Sequence, residues 1–473
     1  MQLTTHQSQA FDRIKAFIQD DHQKVYVLKG YAGTGKTTLV KFLLDWMQDH
    51  SDRQPVLLAS TGRAAKVLAA KAMCEANTVH SHIYSFDVLE EQHPASQSAE
   101  GTGQLTLNFE LKTGPADRKV LYVVDEASML SHLANDQNTL TKFGSGNLLL
   151  DLFQFAGNNK ILFVGDPVQL PPVAGDNPFS PALDAAFLER HFKKTSGEVE
   201  LREIMRQREG HSILELATRL RNIVIEKTEP DWESVLTMEA PYIYRHFSGQ
   251  RMVDAYLRQV GPDWDKAIIL THSNKQAFYL NDTVRRTIFK GEPPHHLKEG
   301  ELLMVTQNSY YVPLSNGDQV LVRSIKPAGK RAGFFFLEVE VEAVFNRAIY
   351  KTLLIHDFLF KPEANLDPEK QRALLIDFDK RARDQGLRRN SKPYKDAMLT
   401  DPYLNALRAK FGYVVTCHKA QGGEWPSVFI NLSETIGHLD RETRFRWLYT
   451  AVTRAQESLN LKPVWKGQKG KFG

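Results

Sequence analysis

Cysteine is nearly absent: among 473 residues only Cys74 and Cys417 occur. Two thiols cannot build a disulfide framework or a cysteine-ligated zinc or iron–sulfur centre. Long apolar runs are lacking as well, since none nears the ~18 residues that a bilayer-spanning helix needs. The opening residues, MQLTTHQSQAFDR, have no apolar stretch of the kind a secretory signal carries. A strong charge of one sign is missing too: 60 basic residues stand against 56 acidic ones, leaving +4. That balance does not establish a polyanionic partner, although a local basic groove fits within it. With 42% hydrophobic and 25% charged residues, wholesale disorder is excluded. The expectation is a soluble, cytoplasmic chain without membrane contact, of about three units at ~150 residues each.

What is present is one pattern, repeated six times: a short apolar run that ends abruptly in small or polar residues. Residues 25–28 lead to GYAGTGKT, 56–59 to STGRAA, 120–124 to DEAS, and 161–164 to GDPVQL. In the C-terminal half, 268–270 lead to THSNK and 413–415 to TCHKAQGGE. Val/Ile/Leu runs without alternation suit strands buried on both faces of a parallel sheet. Amphipathic helical segments follow several of them, as at 37–49 and 64–72, which implies βαβ units. Ligands of open parallel sheets sit beyond the carboxyl ends of the strands, where all six polar clusters fall.

Two stretches break the pattern. Within residues 85–119, a Ser/Gly-rich segment leads into QLTLNFELK, whose alternation predicts a half-exposed hairpin strand. Between 300 and 410, five runs (LLMV, YYV, QVLVRSI, FFFLEVEVE and YKTLLIH) predict a small inserted β-barrel. The helical stretch from 367 to 410 is rich in Lys and Arg, including Arg381, Arg383, Arg388 and Arg389. By itself such charge reads as a solvated helix face.

Gly30-Tyr-Ala-Gly33-Thr-Gly35-Lys36-Thr37 satisfies G-x-x-x-x-G-K-[ST] between a strand and a helix, the context that makes the pattern meaningful. Its glycines let backbone amides wrap phosphate oxygens; Lys36 meets the β/γ-phosphates and Thr37 offers a hydroxyl to Mg²⁺. Asp125 and Glu126 follow a strand directly, as a metal-holding carboxylate and a water-orienting group would. Gln169, in GDPVQLPPV, falls on the same edge. Arg206, in LREIMRQ, and Arg454, in WLYTAVTRAQ, are candidate arginine fingers, though spacing alone makes each a surface helix arginine.

Together, GYAGTGKT, DEASM, GDPVQLPPV, TCHKAQGGEW and LYTAVTRA resemble the superfamily 1 helicases of the 5′-to-3′ branch, the RecD-like, Pif-type and Dda-type enzymes. The resemblance runs from Leu3 to about Pro463. It implies an α/β fold of two RecA-like P-loop NTPase domains with parallel sheets, a β-hairpin insertion in the first and an SH3-like barrel insertion in the second. The corresponding ranges are 1–84 with 116–195, hairpin 85–115, 196–299 with 411–473, and 300–410 for the barrel and basic helices. The cofactors implied are ATP and Mg²⁺. Gly30, Ala32, Gly33, Thr34, Gly35, Lys36, Thr37 and Thr38 would hold the nucleotide, with Thr37 and Asp125 on the metal. Gln7 (or its neighbour Gln9) would read adenine. Lys36, Glu126, Gln169, Arg206 and Arg454 would be catalytic. Thr61, His80, Asn274, Thr416 and His418 would meet the DNA strand, although a lone His is otherwise more often a packing residue. Phe109 would supply the strand-separating aromatic of the hairpin, against ordinary packing. One departure is Leu130-Ser131 after DEASM, where many relatives carry an acidic residue.

The activity implied is ATP-driven 5′-to-3′ movement on single-stranded DNA with unwinding of duplex junctions, in company with replication, repair or recombination proteins. Two rivals share the nucleotide-site residues: a non-translocating P-loop switch or loader, and the helicase subunit of a RecD-like exonuclease complex. A separate acidic cluster for nuclease chemistry is not evident in the sequence. A P-loop kinase leaves the second sheet and the paired arginines unexplained.

Overall fold

The computed structural model describes residues 3–92, 104–116, 118–134, 141–172, 179–203, 212–228, 235–236, 240–291, 294–363, 365–389 and 391–462. Six strands form a wholly parallel first sheet: β1 (Val25–Gly30), β2 (Gln54–Ala59), β3 (Ala76–Thr78), β6 (Val120–Asp125), β8 (Lys160–Gly165) and β9 (Ser196–Leu201). Their order is β3-β2-β6-β8-β1-β9. Successive residues enter different cores. Val27, Val124 and Phe163 pack on one face, while Leu28, Val123 and Leu162 pack on the other. Two covered faces explain why these runs are apolar without alternation.

The second parallel sheet repeats the design with β10 (Ile243–Arg245), β11 (Ala267–Thr271), β17 (Val414–Thr416), β18 (Trp425–Asn431) and β19 (Ala455–Lys462), ordered β10-β19-β18-β11-β17. Ile268, Leu270, Val428 and Ile430 face one core; Ile269 and Phe429 face another.

The two interruptions are antiparallel in the main. β4 (Tyr84–Gln92) and β5 (Gln104–Leu111) form the expected hairpin. A third strand, β7 (Thr141–Phe143), pairs parallel with β5. The barrel consists of β12 (Leu302–Val305), β13 (Gln319–Arg331), β14 (Phe334–Ala343), β15 (Ile349–Ile355) and β16 (Ala409–Phe411), ordered β15-β14-β13-β12-β16. A bridge from Leu354 to Leu407, just before β16, brings the two edges together.

Three expectations change. β9 pairs with β1 in the first sheet along residues 196–201, so the boundary at 195/196 falls too early. YYV (310–312) is not a strand but a bend; Ala409–Phe411 supplies the fifth strand from beyond the helices. The arginines of the basic insertion are not merely solvated. Asp379, only 2% exposed, accepts from Arg389 at 2.5 and 3.0 Å and from the Tyr394 hydroxyl at 2.7 Å. Arg383 pairs with it at 3.2 Å, and Arg381 bonds Asp377 and Asp401. These pairs surround a small core of Leu375, Phe378, Ala382, Tyr394 and Met398.

Candidate nucleotide site and nucleic-acid track

β1 ends at Gly30, and the helix Lys36–His50 begins after Gly35, whose φ of 81° is open to glycine at little cost. Gly33 is equally left-handed at 80°. A Cβ on Gly30 would come within 2.7 Å of Thr34 Oγ1 and 2.8 Å of Lys36 Cγ, so the loop closes only over glycine there. The Lys36 ammonium folds onto the loop, donating to the carbonyls of Gly30 at 2.5 Å and Tyr31 at 3.3 Å. Thr34 is buried, its hydroxyl on the Tyr31 carbonyl at 2.8 Å. Ala32, Thr37 and Thr38 are half-buried around the loop.

Gln7 and Gln9 are now told apart. Gln9 is exposed. Gln7 is buried and donates its amide to the Thr34 carbonyl at 3.1 Å, while its Oε1 accepts from the Thr4 amide at 3.2 Å. It thereby fastens the N-terminal helix to the phosphate loop.

At the end of β6, Glu126 takes a left-handed φ of 50°, and its amide donates to Asp125 Oδ1 at 2.9 Å. Burial raises the pKa of both carboxyls. Lys36 pulls both down again, and Arg454 opposes the rise at Glu126. Gln169 joins the pair to the second sheet. Glu126 and Arg454 flank its side-chain amide, and the orientation that satisfies both neighbours has the nitrogen donating to Glu126 Oε2 at 3.2 Å and the oxygen accepting from Arg454 NH2 at 2.9 Å. Arg454, 4% exposed, is further held by the carbonyls of Thr450 and Gly423 at 3.1 and 3.2 Å. Glu126, Gln169 and Arg454 are thus in one line across the seam between the sheets. Arg206 lies outside the described residues.

Sequence reasoning missed several seam residues. Tyr449, on the helix Arg441–Val452, accepts from the Ala32 amide at 3.1 Å and donates to Asp166 Oδ2 at 2.6 Å. Thr450 Oγ1 accepts from the Leu170 amide at 2.9 Å, Gln421 donates to the Leu170 carbonyl at 3.1 Å, and Arg446 donates to the Pro167 carbonyl at 2.5 Å. Part of the signal was available: Arg446 and Thr450 are four residues apart and share an edge of that helix, and Arg454 follows just past its end.

The residues expected on the strand fall into two groups. Asn274, exposed at the start of the helix Asn274–Ile288, lines one cleft with Thr416 and Lys419. Burial, with His272 beside it, pushes His418 down to about 4, so it is neutral at pH 7. On the first sheet, Thr61 caps the helix Gly62–Ala72 through the Ala64 amide at 3.2 Å. A Cβ on Gly62 would stand 2.2 Å from Ser315 Cβ, so the barrel turn at 315–318 rests on this helix end, and Lys66 pairs there with Asp318.

His80 and Phe109 are placed otherwise. The His80 ring packs on Tyr84 and Phe143 at 5.8 and 5.4 Å, and burial lowers its pKa. Phe109 is 8% exposed at the base of the hairpin, opposite Phe86, stacked on Phe143 at 4.8 Å and Tyr310 at 5.9 Å. A wedge needs an open edge, and Phe109 has little; both rings are packing residues in this conformation.

A phosphate loop at the end of one parallel sheet, faced by an arginine from a second, defines a tandem RecA-like P-loop NTPase. Residues 2–228 match the family model of the AAA domain, and residues 411–461 that of the UvrD-like helicase C-terminal domain. The chain is 24% identical to the ATP-dependent DNA helicase dda of Enterobacteria phage T4, across 96% of this chain and 98% of that one. It is 25% identical to the ATP-dependent RecD2 DNA helicase of Deinococcus radiodurans over 92% of its length, spanning 46% of that protein. The fold is shared with the Pif1 helicase from Bacteroides in complex with ADP-AlF3 and ssDNA, at a TM-score of 0.51, 16% identity, and 98% and 92% coverage. Over nearly its whole length the chain is therefore similar to DNA helicases of the RecD2 and Dda type, with a C-terminal segment that matches the UvrD-like helicase model.

Proposed function

We infer that this protein is an ATP-dependent DNA helicase that moves 5′ to 3′ on single-stranded DNA and opens duplex junctions. The observation that carries the reading is the line from Glu126 through Gln169 to Arg454, which ties the hydrolytic carboxylate of one domain to a cation of the other. The rival readings, a non-translocating switch and a nuclease-complex subunit, are not favoured. A match along 98% of the dda helicase needs no second protein to account for the chain.

ATP lies with its phosphates on the loop 30–37, where Lys36 exchanges its carbonyl partners for the β/γ oxygens. Thr37 and Asp125 offer a hydroxyl and a carboxylate, hard oxygen donors suited to magnesium, which would neutralise phosphate charge when bound. Among the described residues no group of three His, Cys, Asp or Glu side chains could hold a metal, and an ion at Thr37 and Asp125 would rely on the nucleotide for further oxygen donors. Glu126 orients water against the γ-phosphorus; the bond to the bridging oxygen breaks and phosphate leaves. Gln169 and Arg454 sense the γ-phosphoryl group, and its departure removes a partner that held the lobes together. Alternating grip by the clefts near Thr61 on one lobe and Asn274, Thr416 and His418 on the other turns this closure into stepping. In a steady-state assay, homopyrimidine single-stranded DNA should raise ATP turnover at least about tenfold, as electrostatic and stacking capture of the strand requires. A turnover indifferent to DNA would overturn the reading.

A further inference from the structure

Where the hairpin, the barrel and the helical insertion meet, they enclose a cleft that includes Phe109, Gln307, Tyr310, Gln371 and Arg408. Two features of it are unused by the mechanism above. The first is Tyr310, whose ring lies nearly parallel (18°) to buried Phe109 yet remains 51% exposed. Its loop is set firmly. Ser309 Oγ accepts from the amides of Tyr311 and Val312 at 3.2 Å, the Ser309 amide bonds the Leu314 carbonyl at 2.9 Å, and Asn308 Oδ1 accepts from the Asn316 amide at 2.8 Å. An aromatic backed by a second ring and held on a pinned loop is a stacking platform.

The second feature is Arg408, just before β16. It donates to the side-chain oxygens of Gln307 and Gln371, both neutral acceptors. Among the described residues no carboxylate moderates its charge, and burial pushes it down to about 10. A guanidinium always carries its charge at neutral pH and has five donors. Two amide oxygens leave donors over, and an oxyanion would satisfy them.

We propose that this cleft is a nucleotide subsite for the nucleic-acid strand, with a base stacked on Tyr310 and a backbone phosphate on Arg408. The inference rests on the helicase reading and deepens it. The barrel, and not the hairpin alone, then contacts the strand where hairpin and barrel meet, and Phe109 serves as the support of the stack. Stacking on an aromatic tolerates every base, so the subsite is indifferent to sequence.

The test measures binding of a homopyrimidine oligonucleotide that carries one 2-aminopurine, across a range of salt concentrations. Tyr310→Ala should weaken binding about tenfold and release the quenching of a stacked 2-aminopurine, and Tyr310→Phe should bind and quench as the parent does. Arg408→Gln should lower the slope of log affinity against log salt by about 0.7, one phosphate contact on a single strand. Thermal melts of each variant separate a lost contact from a lost fold, and the ring-preserving Tyr310→Phe keeps the stack in place. Parent-like quenching in Tyr310→Ala, or an unchanged salt slope in Arg408→Gln, would overturn the proposal while the helicase reading stands. An unsubstituted protein that binds no oligonucleotide would overturn both.

Discussion

The Tyr449 hydroxyl, carried by a helix of the second lobe, accepts the amide proton of Ala32 in the phosphate loop at 3.1 Å and gives its own proton to Asp166 at 2.6 Å. One side chain therefore binds the nucleotide loop and the GDPVQL loop to the opposite lobe. Tyr449→Phe keeps the ring and removes both bonds, leaving a buried carboxylate oxygen short of a donor. Such an unsatisfied group costs about 1–3 kcal/mol. The urea midpoint of the nucleotide-free protein should fall, and added nucleotide should restore less of it than in the parent. An unchanged midpoint would show that the hydroxyl contributes nothing to the seam.

Arg454 opposes the burial-driven rise in the Glu126 pKa. Arg454→Ala should slow ATP turnover roughly a thousandfold while nucleotide still binds, as loss of an arginine finger does. The sign of the pH effect follows as well. In the proposed mechanism Glu126 orients water as its carboxylate, and without the neighbouring cation its pKa climbs further. The acid limb of the residual turnover should move to higher pH. A limb that stays in place would remove Glu126 as the titrating group.

In the basic insertion, Asp379 is pulled in two directions. Burial alone would raise its pKa, but the hydrogen bonds from Arg389 and Tyr394 outweigh burial and hold it below the ordinary value. Its contribution to stability is therefore present above the unfolded carboxylate value of about 3.9 and is lost as the pH falls through the lower folded value. Arg389→Ala should destabilise the insertion by about 1–2 kcal/mol, because Asp379 loses two hydrogen bonds from a cation while Arg383 and the Tyr394 hydroxyl still hold it. Limited proteolysis should then cut within residues 365–400. Cleavage no faster than in the parent would mean the pair is not structural.

The α/β architecture was legible because each buried strand ends in its functional cluster: apolar runs fed two covered faces, and the polar residues followed where the sheet edge exposes them. GYAGTGKT, DEAS and GDPVQL stood out as loops for the same reason, whereas the contacts that join them to Arg454 and Tyr449 did not. Three features were hidden, each by a long-range contact. The pairing of β9 with β1 joins residues more than 160 positions apart. Tyr449 reaches a loop 417 positions away. The strand-separating role of Phe109 came from family resemblance alone and stood against ordinary packing; alternation shows which residues share a face and not what covers it, and Tyr310 and Phe143 cover this ring. The arginine-rich helices misled in the same manner, since their acidic partners interleave with them and charge counting alone does not reveal the pairs.

The central claim is a motor driven by the phosphate loop. The most direct measurement is strand release from duplexes bearing either a 5′ or a 3′ single-stranded tail, with Lys36→Ala as the control. The account predicts ATP-dependent release from the 5′-tailed duplex, little from the 3′-tailed one, and at least about a hundredfold loss in Lys36→Ala. Equal release from both tails, or release that survives in Lys36→Ala, would contradict it.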